Sequence, residues 1–173
     1  TIDDFKNFFE RDKQKINFNV NDLVNKTLDL VEMSFSSNDI EIIKEFKGEI
    51  EINNYKNELM QVLLNIINNA KDALLTNNKD LEQKKLIYIS LYKKDNQTVI
   101  DIKDNAGGVP KNIKEKIFEP YFTTKHQSQG TGIGLFMTQE IVKKHMEGEI
   151  LVQNEPFKID DKSYFGALFR III

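Results

Sequence analysis

The sequence predicts a mixed β-sheet with helices packed on one of its faces. Two observations carry that expectation. Helical and strand periodicities alternate along the chain, which points to a layered α/β arrangement. Yet Leu86 to Lys93 and Thr98 to Lys103 alternate apolar and polar residues around Asp95-Asn96, which reads as a β-hairpin and places antiparallel pairs in the sheet. The chain has 173 residues, enough for one domain with a sizeable core.

Taken in order, Ile2, Phe5, Phe8 and Phe9 lie at helical spacing, so residues 2 to 13 read as the end of a helix with one apolar face. Its start at Thr1 suggests a piece of a longer protein. Asn17 to Val20 reads as a brief strand. Asn21 or Asp22 caps a helix carrying Leu23, Leu28, Leu30, Val31 and Phe35. Ile40 to Phe46 and Glu49 to Ile52 read as short strands around Gly48. Residues 54 to 76 form the longest periodic stretch, with Leu59, Val62, Leu63, Ile66, Ile67, Ala70, Ala73 and Leu74 in a wide apolar stripe. The hairpin follows a polar connection at residues 77 to 85. Asn112 to Phe118 reads as a short helix, and Glu119 to Leu135 has no periodicity. Gly134 to Met146 is helical and stops at Gly148. Glu149 to Asn154 and Tyr164 to Ile173 are the last strands, joined by a polar loop.

Composition excludes several chemistries. There is no cysteine, hence no disulfide, thiolate nucleophile or Cys-ligated zinc. His126 and His145 have no partner at metal-ligand spacing. The net charge is −3 and the arginines are Arg11 and Arg170, which argues against a nucleic-acid reader. No apolar run approaches the roughly 20 residues of a membrane span.

Four segments carry candidate chemistry. In the long helix, Asn65, Asn68 and Asn69 interrupt an apolar run. Asn65 and Asn69 are four apart and share a face, where two amide oxygens suit a hard cation such as Mg²⁺, or simply cap neighbouring backbone. "DNAGGVP", residues 104 to 110, ends a strand on a carboxylate and an amide and then abandons side chains: a tight turn, or backbone brought close to a ligand. "IFEPYFTTK", residues 117 to 125, sets Phe118, Tyr121 and Phe122 beside Thr123, Thr124 and Lys125: a hydrophobic clasp whose polar end can reach phosphates. "GTGIGL", residues 130 to 135, opens a helix with Gly130, Gly132 and Gly134, and bare N–H groups there suit anions. It is neither a P-loop nor a dinucleotide fingerprint, because Leu135 stands where the latter needs its last glycine.

In this order the four segments resemble the N, G1, F and G2 boxes of the ATP-binding catalytic domain of sensor histidine kinases. That domain belongs to the gyrase, chaperone, histidine kinase and mismatch-repair (GHKL) ATPase superfamily. The match covers roughly residues 20 to 173. The resemblance implies a two-layer α/β sandwich, with a mostly antiparallel sheet of about five strands covered on one face by three helices. Residues 15 to 173 would be the catalytic domain, with a lid at about 111 to 132. Residues 1 to 14 would be the end of a dimerisation and histidine-phosphotransfer helix.

The implied ligands are ATP and Mg²⁺. Asp104 would accept from the adenine amine, Gly108 would admit the base, and Asn69 would hold Mg²⁺ with Asn65 near the metal or phosphates. Thr124, Lys125, Gly130, Thr131, Gly132, Gly134 and Leu135 would line the nucleotide. Three departures stand out. Ala106 replaces a glycine. Asp72 stands where many such kinases carry a basic residue, so Lys125 is expected to supply that phosphate contact. Asn65 stands where hydrolysing relatives carry a glutamate, and an amide is no general base.

That favours phosphoryl transfer to a histidine on a separate domain, since neither His126 nor His145 has the setting of a phosphoacceptor. The alternatives are a GHKL-type ATPase switch, a sigma-factor-regulating serine kinase, and a non-catalytic nucleotide-sensing or docking module. The implied partners are the dimerisation domain and a response regulator. The location implied is cytoplasmic, with the membrane anchoring of the parent open. The fragment is expected to be monomeric and the parent a homodimer.

Overall fold

The computed structural model describes residues 14–77, 83–125 and 130–173. The elements run β1 (Ile16–Asn19), α1 (Val20–Ser36), β2 (Ile40–Phe46), β3 (Glu51–Asn54), α2 (Lys56–Asn77), β4 (Lys85–Lys94), β5 (Gln97–Asp104), α3 (Gly134–Glu140), β6 (Glu149–Ile159) and β7 (Lys162–Ile172). α3 continues without a break into a π-helical turn, Ile141–His145. Five strands form one sheet in the order β2-β4-β5-β7-β6, while β1 and β3 pair separately. The β2–β4 pair is parallel and the others are antiparallel. The expected sandwich of a five-stranded mixed sheet and three helices is therefore present.

The core lies between the sheet and the helices. Ile87, Ile89 and Leu91 of β4, Ile100 and Ile102 of β5, and Ala167, Phe169 and Ile171 of β7 meet the apolar stripes of α1 and α2 and Ile141–Val142. Leu59, Val62, Leu63, Ile66, Ile67 and Leu74 are fully buried along α2. Burying each such side chain stabilises the fold by about 1.5–3 kcal/mol. That anchorage fixes α2, and with it the direction in which its asparagines project.

Three local expectations need correction. The cap of α1 is Asn19, whose Oδ1 accepts from Asp22 N at 2.9 Å. Asn21 instead donates to Gly48 O and accepts from Ile50 N, tying the helix start to the chain before β3. Residues 112 to 118 form successive turns rather than a helix. Proline at 110 starts them, its carbonyl accepting from both Ile113 and Lys114. Finally, β6 and β7 run on to Ile159 and from Lys162. A two-residue turn joins them, with both Asp160 and Asp161 in the left-handed region. Pro156 concealed this extension, but β6 is an edge strand and tolerates a missing N–H.

Candidate nucleotide site

A cavity of about 520 Å³ opens between α2, the end of β5, β7 and the segment leading into α3. Its wall contains Asn69, Asp104, Gly108, Thr124, Lys125, Gly130, Thr131, Gly132, Gly134 and Leu135. Asn65 is the one candidate residue outside it.

One wall is built on the end of β5. Asp104 is 3% exposed, and its Oδ1 accepts from Ala106 N at 2.9 Å and Ala167 N at 3.3 Å. Burial pushes its carboxyl up to about 6, and the two N–H bonds counter only part of that. Among the described residues no group donates to its Oδ2. Asn105 continues the β4–β5 pairing with its side chain: Oδ1 accepts from Leu86 N at 2.8 Å and Nδ2 donates to Lys84 O at 2.7 Å. The strand thus ends on Asp-Asn because one side chain faces the cavity while the other closes the sheet.

Asn154 of β6 holds the glycine turn. Its Oδ1 accepts from Val109 N and its Nδ2 donates to Val109 O, both at 2.8 Å. A Cβ on Gly108 would lie 2.7 Å from that amide, and the residue has φ +84. Gly108 is therefore needed for the close approach of Asn154, besides bordering the cavity. Gly166 answers a second close approach, since a Cβ there would lie 1.8 Å from Asp104 O.

The opposite wall is looser. Gly132, at φ +67, runs beneath the backbone of Tyr121 and Phe122; an added Cβ would meet Tyr121 C at 2.5 Å. The Lys125 stem lies against Gly130, and Lys125 Nζ pairs with Asp72 Oδ2 at 2.5 Å. α3 starts at Gly134 without a side-chain cap, so its first N–H groups are open to another acceptor. Asn69 is half-buried in the wall, whereas Asn68 is exposed. Asn65 Nδ2 lies 3.3 Å from both Gly134 O and Thr138 Oγ1, joining α2 to the start of α3. His145 Nδ1 lies 3.0 Å from the buried Glu58 carboxylate. His126 is outside the described residues. Among the described residues, no group of three His, Asp or Glu side chains forms a metal cluster.

Sequence reasoning missed Asn154, Gly166 and Thr138. An isolated glycine inside a strand does signal close backbone approach, so Gly166 had a signal. Asn154 and Thr138 had none, because a lone polar residue on an edge strand or short helix looks solvated.

Residues 54–172 match the family model described as histidine kinase-, DNA gyrase B- and HSP90-like ATPase. The chain is 36% identical over 156 residues to the signal transduction histidine-protein kinase AtoS of Escherichia coli, covering 89% of this chain and 23% of that kinase. The chain spans between 10% and 32% of the length of the first curated relatives it matches. The nucleotide-free catalytic domain of histidine kinase ThkA superposes with a TM-score of 0.75 at 25% identity, covering 92% of this chain and 95% of that one. A structure of ThkA in complex with the response regulator TrrA has the same fold, with a TM-score of 0.67 at 20% identity over 99% of this chain and 46% of that one. With the family model covering more than two thirds of its length, the chain belongs to the histidine kinase-, DNA gyrase B- and HSP90-like ATPase family.

Proposed function

We propose that this domain binds ATP with Mg²⁺ and serves as the phosphoryl donor of a two-component histidine kinase. The observation that carries the reading is Asp104. A buried carboxylate with one oxygen committed to backbone presents its other oxygen as an acceptor, which selects an amino group over a carbonyl. Adenine offers an amine at that position and guanine a carbonyl. Thr124, Lys125 and the glycine segment supply N–H, hydroxyl and ammonium donors for the phosphates.

Asn69 fits Mg²⁺ as a lone amide ligand, since that ion takes few protein oxygens and completes its shell from phosphate and water. Mg²⁺ would neutralise charge on the phosphates. Asn65 offers no carboxylate to activate water, so phosphoryl transfer to a histidine outside this chain is favoured over hydrolysis. In this reading the acceptor lies on a dimerisation helix domain, the phosphate passes on to a response regulator, and the domain works where cytoplasmic ATP is available. Among the described residues no helix is long and apolar enough to cross a membrane.

Calorimetric titration with ATP, with GTP, and of Asp104→Ala tests the reading. ATP binding lost in the variant and absent with GTP is the expected result. Equal binding of both nucleotides would overturn it.

A further inference from the structure

Asp72 and Lys125 both lie in the cavity wall, Asp72 on α2 and Lys125 in the irregular segment before α3. Asp72 is three residues beyond Asn69 on α2, so both side chains share the helix face turned to the cavity. Lys125 is anchored within its own segment: its N donates to Thr123 Oγ1 at 3.0 Å, and its Cδ lies 3.1 Å from where a Gly130 Cβ would be. Its ammonium therefore stands where the glycine segment would receive phosphates. There it meets the Asp72 carboxylate.

We infer that Asp72 is a specificity-determining residue whose carboxylate stands in for nucleotide phosphate on Lys125 and so lowers the affinity of the site for phosphate tails. The inference rests on the nucleotide reading above. The two side chains are 31% and 37% exposed, which makes the pair a weak one. A triphosphate carries several charges and outcompetes a single carboxylate for the ammonium. Asp72 subtracts from affinity without closing the site, and its negative charge also repels the incoming phosphates.

ATP is titrated against the native chain, Asp72→Asn and Asp72→Glu, each with and without Mg²⁺. Asp72→Asn is expected to bind ATP about two- to fivefold more tightly, from the strength of a half-exposed ion pair. Asp72→Glu, which keeps the charge, stays near the native affinity. The gain shrinks as salt is raised, because the competing charges are screened. Unchanged or weaker binding by Asp72→Asn, while the native chain binds ATP, overturns this inference and leaves the nucleotide reading standing. Weakening seen only with Mg²⁺ makes Asp72 a metal ligand and also overturns it. A native chain that does not bind ATP removes both.

Discussion

At one end of the cavity, Asp104 is 3% exposed, Asn105 is 6% exposed, and side-chain amides hold adjoining backbone at 2.7–2.8 Å. At the other end, Lys125 keeps about a third of its surface, and the described residues between Asn105 and Ile133 form neither helix nor strand. The first wall is held by burial and backbone contacts that have no slack. The second is held by a partly exposed ion pair, by weak Asn65 bonds to the start of α3 and by one tight point, Gly132 under the Tyr121–Phe122 backbone. The contrast suits a ligand with a flat, neutral end that needs a shaped slot and a charged end that needs adjustable donors. It also means that the two walls should fail differently when mutated.

Gly166→Ala should have the largest effect. Its Cβ would lie 1.8 Å from Asp104 O, so β7 or the end of β5 must move. Overpacking of this kind costs about 1–3 kcal/mol, and ATP affinity should fall at least about 100-fold because Asp104 is displaced. Urea unfolding and calorimetry measure the two effects. Near-native ATP binding would show that the rigid wall has slack after all.

Asp104→Asn separates rigidity from charge. The carboxyl is raised from 3.8 to about 6 by burial, so the native fold carries a cost whenever this group is ionised. Well below pH 4 both folded and unfolded chains are protonated at this site, and the cost is absent. Between pH 4 and 6 the unfolded chain ionises first and the cost grows. Above pH 6 it is constant. At about 1.4 kcal/mol per pH unit, the plateau is at most about 3 kcal/mol. The asparagine variant keeps the acceptor for Ala106 and Ala167. It should match the native chain near about pH 3 and exceed its stability above pH 6, in urea unfolding followed across that range. It should also lose ATP, because its amide N–H₂ would face the adenine amine. A stability difference independent of pH would refute the electrostatic account.

Asn154→Ala comes next. It removes two hydrogen bonds to Val109 and frees the turn that borders Gly108. Stability should fall by about 1–2 kcal/mol and ATP affinity by about tenfold. Asn154→Asp keeps the acceptor for Val109 N but sets a second carboxylate oxygen against Val109 O, so at neutral pH it should be no milder than alanine in both measurements.

The part of this molecule that was legible in sequence is the part written in periodicity and in glycine. The stripe of α2 and the alternation of β4 and β5 report directly which face is buried, and all three elements formed within two residues of expectation. The cavity wall was legible only through the order of its four segments and the family resemblance they carry, because each segment alone also reads as a cap, a turn, a clasp or a flexible loop. Long-range side-chain contacts were not legible. Asn154 meets Val109 across 45 positions, and Asp72 meets Lys125 across 53. No local pattern encodes such a pairing. The extended β6–β7 hairpin was hidden because Pro156 breaks the strand pattern, although an edge position removes the penalty.

Asn65 sits between the two walls and should give the smallest effect. Its amide reaches Gly134 O and Thr138 Oγ1 at 3.3 Å, the long end of the hydrogen-bond range, and Thr138 is fully buried. Two weak bonds, partly replaceable by water, should contribute under about 1 kcal/mol. Asn65→Ala should therefore lower ATP affinity less than about threefold and leave its Mg²⁺ requirement as it was, while Asn69→Ala should abolish that requirement. Titrating ATP at several Mg²⁺ concentrations distinguishes the two. If Asn65→Ala shifts the Mg²⁺ dependence as Asn69→Ala does, its amide must leave Gly134 for the ion when nucleotide binds. The start of α3 would then belong to the adjustable wall, and the boundary between fixed and movable halves of the site would pass through α2 itself.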